Sequence, residues 1–143
     1  MRCVVDTNVF NWLVDGSLSS EDLPADAEFV ATHIQFDELN RTNDPERRAR
    51  LSRRFKETVD AMVPTDSFVP DVSRLDYGQL SDGSRYTALK ADLDALNGGK
   101  ANNIQDALIA EVAIANGYTL LTADFDLAKV AKQHGCSVRY FTT

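Results

Sequence analysis

Two hydrophobic periods alternate along the chain. Cys3, Val4 and Val5 form a short continuous apolar run, so Arg2 to Asp6 reads as a buried strand. It ends in Asp6-Thr7-Asn8, three residues that all suit a helix N-cap. Val9, Phe10, Trp12, Leu13 and Val14 then follow helical spacing, and Asp15-Gly16 stops them. Ser17 to Ala27 is polar, contains Pro24 and reads as loop or short helix. Phe29, Val30 and Ala31 resume an apolar pattern, and Thr32 caps a helix carrying Ile34, Phe36, Glu38 and Leu39. Pro45 suits the first turn of a helix running to about Met62, with Leu51, Phe55, Val59 and Met62 as its buried face and Pro64 as its end.

Ser67 to Pro70 reads as a short strand, and Leu75 to Gly83 has only breakers to offer, Gly78, Asp82 and Gly83. Tyr86, Leu89, Leu93 and Leu96 mark another helix, closed by Asn97-Gly98-Gly99. Asn102 or Asn103 caps the next, which carries Ile104, Leu108, Ile109, Val112 and Ile114 and ends at Asn116-Gly117. Tyr118 to Thr122 is a buried strand. Asp124 opens a helix with Leu127, Val130 and Ala131, stopped at His134-Gly135, and Ser137 to Phe141 is the last strand. Strands alternating with helices predict an α/β fold: a central, mostly parallel sheet with helices on both faces, a three-layer sandwich. Residues 1–143 read as a single domain.

Composition narrows the classes further. Hydrophobic residues are 43% and charged residues 26% of the chain, which excludes disorder as the main state. No apolar run reaches the roughly 18 residues of a membrane span, so no membrane partner is expected. The first residues lack the pattern of a signal peptide, and the cytoplasm is the expected compartment. Cys3 and Cys136 are too few for a disulfide scaffold, and neither they nor His33 and His134 have zinc-ligand spacing.

Net charge is −7, unevenly spread. Arg41, Arg47, Arg48, Arg50, Arg53, Arg54 and Lys56 stand in one short segment with only Asp44 and Glu46 among them. A helix with arginines around most of its circumference can track a phosphate backbone, with Arg47, Arg50 and Arg54 as the candidate RNA contacts. It can equally be a solvated face, a partner for the surplus acids, or a dock for an acidic segment. Trp12, Phe36 and Phe55 suit base stacking, though core packing explains them as well.

In an open parallel sheet, ligands bind beyond the carboxyl ends of the strands. The first strand delivers Asp6 there. The Tyr118–Thr122 strand is followed by Asp124 and then Asp126. If the two strands are neighbours, these acids converge. Carboxylates without His or Cys suit a hard cation, Mg²⁺ or Mn²⁺. The competing reading is plain helix capping.

At these residues the chain resembles a family. Val4-Val5-Asp6-Thr7-Asn8-Val9 is similar to the opening motif of PIN-domain nucleases. Asn103-Ile104-Gln105-Asp106-Ala107-Leu108-Ile109-Ala110 resembles the third acidic motif of that family, and Leu120-Leu121-Thr122-Ala123-Asp124-Phe125-Asp126-Leu127 the fourth. Phe36-Asp37-Glu38-Leu39 is a weaker match, with Thr32 in the place of a small hydroxyl residue. The motifs stand in family order from end to end, while residues 43 to 100 match nothing. The resemblance implies a PIN-like fold and a catalytic acid set of Asp6, Glu38, Asp106 and Asp124. Metal would be held by Asp6, Asp106, Asp124 and Asp126. Thr7 would contact a metal-bound water, and Asn8 would brace the loop. It further implies Mg²⁺- or Mn²⁺-dependent cleavage of RNA. Small members of the family, the virulence-associated-protein-C-like toxins, pair with an antitoxin protein and form homodimers.

Two other readings compete. One is a different Mg²⁺-dependent phosphoryl-transfer enzyme. A haloacid-dehalogenase-type phosphatase would need Asp where this chain has Asn8, and a receiver domain would need paired acids at the first strand end. The other is a PIN-like RNA- or protein-binding module without catalysis.

Overall fold

A computed structural model of the chain describes residues 1–67, 69 and 83–142. Five strands form one sheet in the order β3-β2-β1-β4-β5: β1 Arg2–Val5, β2 Glu28–Ala31, β3 Ala61–Met62, β4 Thr119–Thr122 and β5 Val138–Tyr140. Every pairing is parallel. The helices are α1 Thr7–Asp15, α2 His33–Asn40, α3 Pro45–Thr58, α4 Ser84–Asn97, α5 Asn103–Asn116 and α6 Phe125–Gln133. A short 3₁₀ turn at Ser20–Asp22 lies in the first loop. This is the expected three-layer α/β sandwich, with all of its strands parallel.

Strand alternation divides the core. Val4, Val30 and Leu120 point to one face and pack with α4, α5 and α6 through Leu89, Leu93, Leu108, Ile109 and Leu127. Cys3, Val5, Ala31 and Leu121 point to the other and pack with Phe10, Leu13, Leu51 and Phe55 of α1 and α3. Both faces are covered, which is why these strands read as unbroken apolar runs and not as alternation. Cys3 and Cys136 are buried free thiols that behave as small apolar residues.

Helix ends follow the local chemistry. Asp6, Thr32, Asp44 and Asp124 each cap a helix by accepting a backbone N–H. Gly117 takes φ 70° at the end of α5, and Tyr118 N–H then bonds back to Ala113 O at 2.8 Å. That left-handed residue turns the chain directly into β4.

One boundary differs from the sequence reading. The helix begun at Pro45 ends at Thr58, not near Met62. Val59 is extended at ψ 122°, and Asp60 N–H bonds to Phe29 O at 2.7 Å, so the chain joins the sheet as its edge strand. Ala61 and Val63 pack inward while Met62 is 47% exposed. Ala61 and Val63 share one face of the sheet while Val59 still packs on the α1/α3 side, so the helical spacing of Leu51, Phe55 and Val59 runs up to the strand and hides its start. Of the expected Ser67–Pro70 strand, Ser67 and Val69 are described and belong to no strand, while Phe68 and Pro70 lie outside the described residues, as does all of Leu75–Gly83 but Gly83.

Leu121 belongs to the core on the α1 and α3 side of the sheet. Its side chain is fully buried, and its carbonyl accepts the N–H of Asp6 at 2.9 Å. Leu121→Ala is expected to cost about 2–5 kcal/mol, the usual loss for a large side chain in a packed core. Urea denaturation of the two proteins measures it. A loss under about 1 kcal/mol would mean the site end of the sheet is loosely packed.

Candidate acidic site

β1 and β4 are neighbours, with Val5 opposite Leu121. Their carboxyl ends therefore release Asp6 and Asp124 into the same place. Asp6, Thr7, Asn8, Asn11, Glu38, Asn102, Asp106 and Asp124 line one cleft of about 160 Å³. Asp6 accepts the Thr7 N–H at 2.8 Å with Oδ1 and the Thr122 hydroxyl at 2.7 Å with Oδ2. Asp124 Oδ1 accepts the N–H groups of Asp126 and Leu127 at 2.9 and 3.2 Å. Asp106 stands in the first turn of α5 and accepts from the Asn102 amide at 3.3 Å. Glu38, in the last turn of α2, accepts the Thr7 hydroxyl at 2.9 Å. Asn8 Oδ1 accepts the Ala123 N–H at 3.1 Å and ties the two strand ends together.

Capping and clustering thus coexist: Asp6 and Asp124 do both. Each of the three aspartates lies at the N-terminus of a helix, where aligned peptide dipoles favour negative charge. The compensation is partial. Asp6 is 3% and Asp106 6% exposed. Burial pushes the Asp6 carboxyl above the usual carboxylate range, and the charges of Glu38 and Asp124 add to that, against the bonds from Thr122 and Thr7. Burial likewise raises Asp106, reinforced by Asp6, Asp124 and Glu38, with only Lys100 pulling it back. Glu38 is raised by burial, and the Thr7 hydroxyl and Arg41 oppose that rise.

Among the described residues, no cationic side chain lines the cleft. Its donors are carboxylate, hydroxyl and amide oxygens, the set a hard divalent cation prefers. Among the described residues, no three His, Cys, Asp or Glu side chains stand already closed as a metal-ligand set. Asp106 Oδ1, Asp124 Oδ2 and Glu38 Oε2 take no part in the hydrogen bonds above. The donor chemistry fits Mg²⁺ or Mn²⁺, with closure left to side-chain rotation and bound water.

The remaining candidates lie elsewhere. Asp126 follows Asp124 into the first turn of α6 and does not line the cleft. Arg47 reaches across from α3 to Asp15 at 2.6 Å and to Asn11 at 2.8 Å, so it clamps α3 to α1. Arg54 is near Glu57 at 3.8 Å and Ser20 at 3.5 Å. Arg50 lines a separate hollow with Leu13, Val14, Arg53, Arg54 and Glu57. None of these arginines borders the acids. Phe55 packs on Phe10 and Phe36 at 5.2 and 5.7 Å, and Trp12 packs against the same cluster, so these aromatics belong to the core.

Asn11 and Asn102 were not singled out from the sequence. The signal for Asn11 is its position four residues after Thr7 on one helix face, where its amide bonds to Thr7 O at 3.4 Å. Asn102 lies four residues before Asp106. A larger hollow, about 520 Å³ beside Leu23, Pro24 and Phe29, sets Arg54 among Glu21, Glu57 and Asp60.

Comparison with known proteins agrees with this architecture. No family model and no curated protein matches the sequence. Solved structures do match in fold. A chain of VapBC2 from Rickettsia felis, bound to a DNA fragment from their promoter, is 17% identical with a TM-score of 0.63, covering 99% of this chain and 100% of that one. VapBC-1 from nontypeable Haemophilus influenzae is 17% identical, TM-score 0.58, with full coverage of both chains. VapBC-5 from Mycobacterium tuberculosis, a member of the VapBC family of toxin-antitoxin systems, is 20% identical, TM-score 0.51, covering 99% and 98%. The chain has the PIN-like fold that its motifs implied.

The raised carboxyls carry a stability consequence. An acid whose folded pKa lies above its unfolded value penalises the fold once ionised, and the penalty fades as pH falls toward the unfolded value near 4. Asp106→Asn removes a buried acid that accepts one hydrogen bond, from Asn102, and faces Asp6, Asp124 and Glu38. In chelator at neutral pH the variant is expected to be more stable than wild type by about 1–2 kcal/mol, the scale of one or so pKa units. The gap should close on acidification toward pH 4. Thermal melts across pH test this, and a variant that melts below wild type at neutral pH would contradict it.

Proposed function

We propose that the protein is a Mg²⁺- or Mn²⁺-dependent endoribonuclease. The observation that carries this is four carboxylates, from the ends of β1 and β4 and from α2 and α5, lining one cleft with no cationic side chain among the described residues there. Such an arrangement is costly to the fold and is explained by a ligand that brings positive charge. Asp6, Asp106 and Asp124 would hold the ion, with Asp126 as a nearby further acid. When bound, Mg²⁺ or Mn²⁺ supplies a water of lowered pKa and positive charge for the phosphate oxygens. Glu38, which accepts the Thr7 hydroxyl at 2.9 Å, would be the proton acceptor on the cleft wall. Asn8 holds the two strand ends in register, and Asn11 and Asn102 offer amide donors to phosphate oxygens. No protein nucleophile is needed.

The matched VapBC structures support a role as the toxin of a toxin–antitoxin pair, with an antitoxin protein as partner; a homodimer as the working form is the expectation carried by the motif resemblance alone. RNA would approach over basic residues of α3. Arg50 is the better candidate there, since Arg47 is held by Asp15. No helix is long and apolar enough to cross a membrane among the described residues, which fits a site open to RNA.

Asp6→Asn, Asp106→Asn and Asp124→Asn are each expected to reduce metal-dependent cleavage of single-stranded RNA at least about a hundredfold, as loss of a charge-positioning group does. Glu38→Gln should also lose activity. Gel analysis of RNA incubated with Mn²⁺ or chelator reads this out, with melting curves as the folding control. Full activity in Asp6→Asn would end the metallonuclease reading. RNA binding without cleavage in wild type would favour a binding module. Wild type should slow growth on expression alone, and Asp6→Asn should not.

A further inference from the structure

Phe125 directly follows Asp124 at the start of α6 and is 59% exposed. Its ring meets Tyr140, itself 36% exposed, edge to face at 6.0 Å between centroids and 74° between planes. Neither ring is part of either core cluster. Tyr140 is paired in register with Thr122, the residue whose hydroxyl holds Asp6. The ring pair is therefore fixed beside the acidic cleft twice, through one peptide bond to Asp124 and through one strand register to Thr122.

An exposed Phe forfeits the gain of burial, so packing does not explain its place. An edge-to-face pair restrains both rings while leaving a ring face open. Along α6, Lys129 and Lys132 lie four and seven residues beyond Phe125, on the same helix face. Both are exposed, and among the described residues neither forms an ion pair. An aromatic surface between a phosphodiester-cleaving cleft and free cations matches one ligand chemistry: an unpaired, stacked base on a phosphate backbone.

We propose that Phe125, braced by Tyr140, is a stacking platform for an unpaired nucleobase flanking the phosphodiester in the acidic cleft, with Lys129 and Lys132 facing the phosphates of the same strand. This rests on the nuclease reading above and adds the strand's path to it. Phe125 is a positioning residue here, since it touches a flanking base and not the reacting atoms. A duplex buries its base faces, so the platform selects single strands.

The test is steady-state cleavage of a short mixed-sequence single-stranded RNA in Mn²⁺, comparing wild type with Phe125→Ala and Phe125→Trp. Phe125→Ala is expected to raise KM about tenfold, as removal of one stacking ring does, with kcat within about twofold. Phe125→Trp should restore KM. Because the side chain is largely exposed, the melting point should not fall. Unchanged KM and kcat in an active Phe125→Ala protein would overturn the proposal and leave the nuclease reading intact. So would a fall in kcat alone, which would make Phe125 a mere support for Asp124. Unchanged kinetics with an altered mass by light scattering would assign the rings to a protein contact instead. A wild type that neither binds nor cleaves RNA would overturn both readings together.

Discussion

The architecture depends on a carboxylate buried at the end of its central strand pair. Asp6 continues β1, donates its N–H to Leu121 of β4, caps α1 through the Thr7 N–H and accepts the hydroxyl of Thr122. One side chain thereby joins two strands and a helix. It does so while 3% exposed and beside three further acids. The helix termini make this tolerable. Asp6, Asp106 and Asp124 sit where α1, α5 and α6 present unsatisfied N–H groups and the positive ends of their dipoles. Glu38 has the opposite position, near the C-terminus of α2, and relies on Thr7 and Arg41. The fold supplies enough positive potential to gather the acids, and too little to neutralise them.

That imbalance distinguishes this cleft from the other features of the surface. The larger hollow beside Phe29 has more volume, and Arg54 stands among its acids. The basic segment looked like a separate functional element in the sequence, yet Arg47 serves the fold by joining α3 to α1 through Asp15 and Asn11. Asn11 also lines the acidic cleft, so the clamp ends at the wall of the site.

The sheet and its helices were legible because each signal was local. Buried strands appear as apolar runs, and Gly16, Gly98 and Gly117 mark helix ends by their left-handed backbone. The boundary after Thr58 was not legible, because Val59 and Met62 continued a helical spacing by coincidence while the edge of β2 drew the chain into the sheet. For the site, Asp6 and Asp124 could be read from strand ends alone. Asp106 required the family resemblance, since an acid in the first turn of a helix is also ordinary dipole chemistry. Asn11, Asn102 and Phe125 could not be found that way. Their significance comes from the β1–β4 pairing and the docking of α5 for the two asparagines, and from the β4–β5 register for Phe125, which are long-range facts.

If the acids form a metal site, occupying it must displace protons from the carboxyls whose pKa burial and mutual repulsion raise. Titration calorimetry of Mn²⁺ into the protein, repeated in buffers of different ionisation enthalpy, counts those protons. The account predicts binding accompanied by net proton release, larger at about pH 6 than at about pH 8, because more of the raised carboxyls start protonated at the lower pH. Absence of binding, or binding with no protons released at either pH, would contradict it.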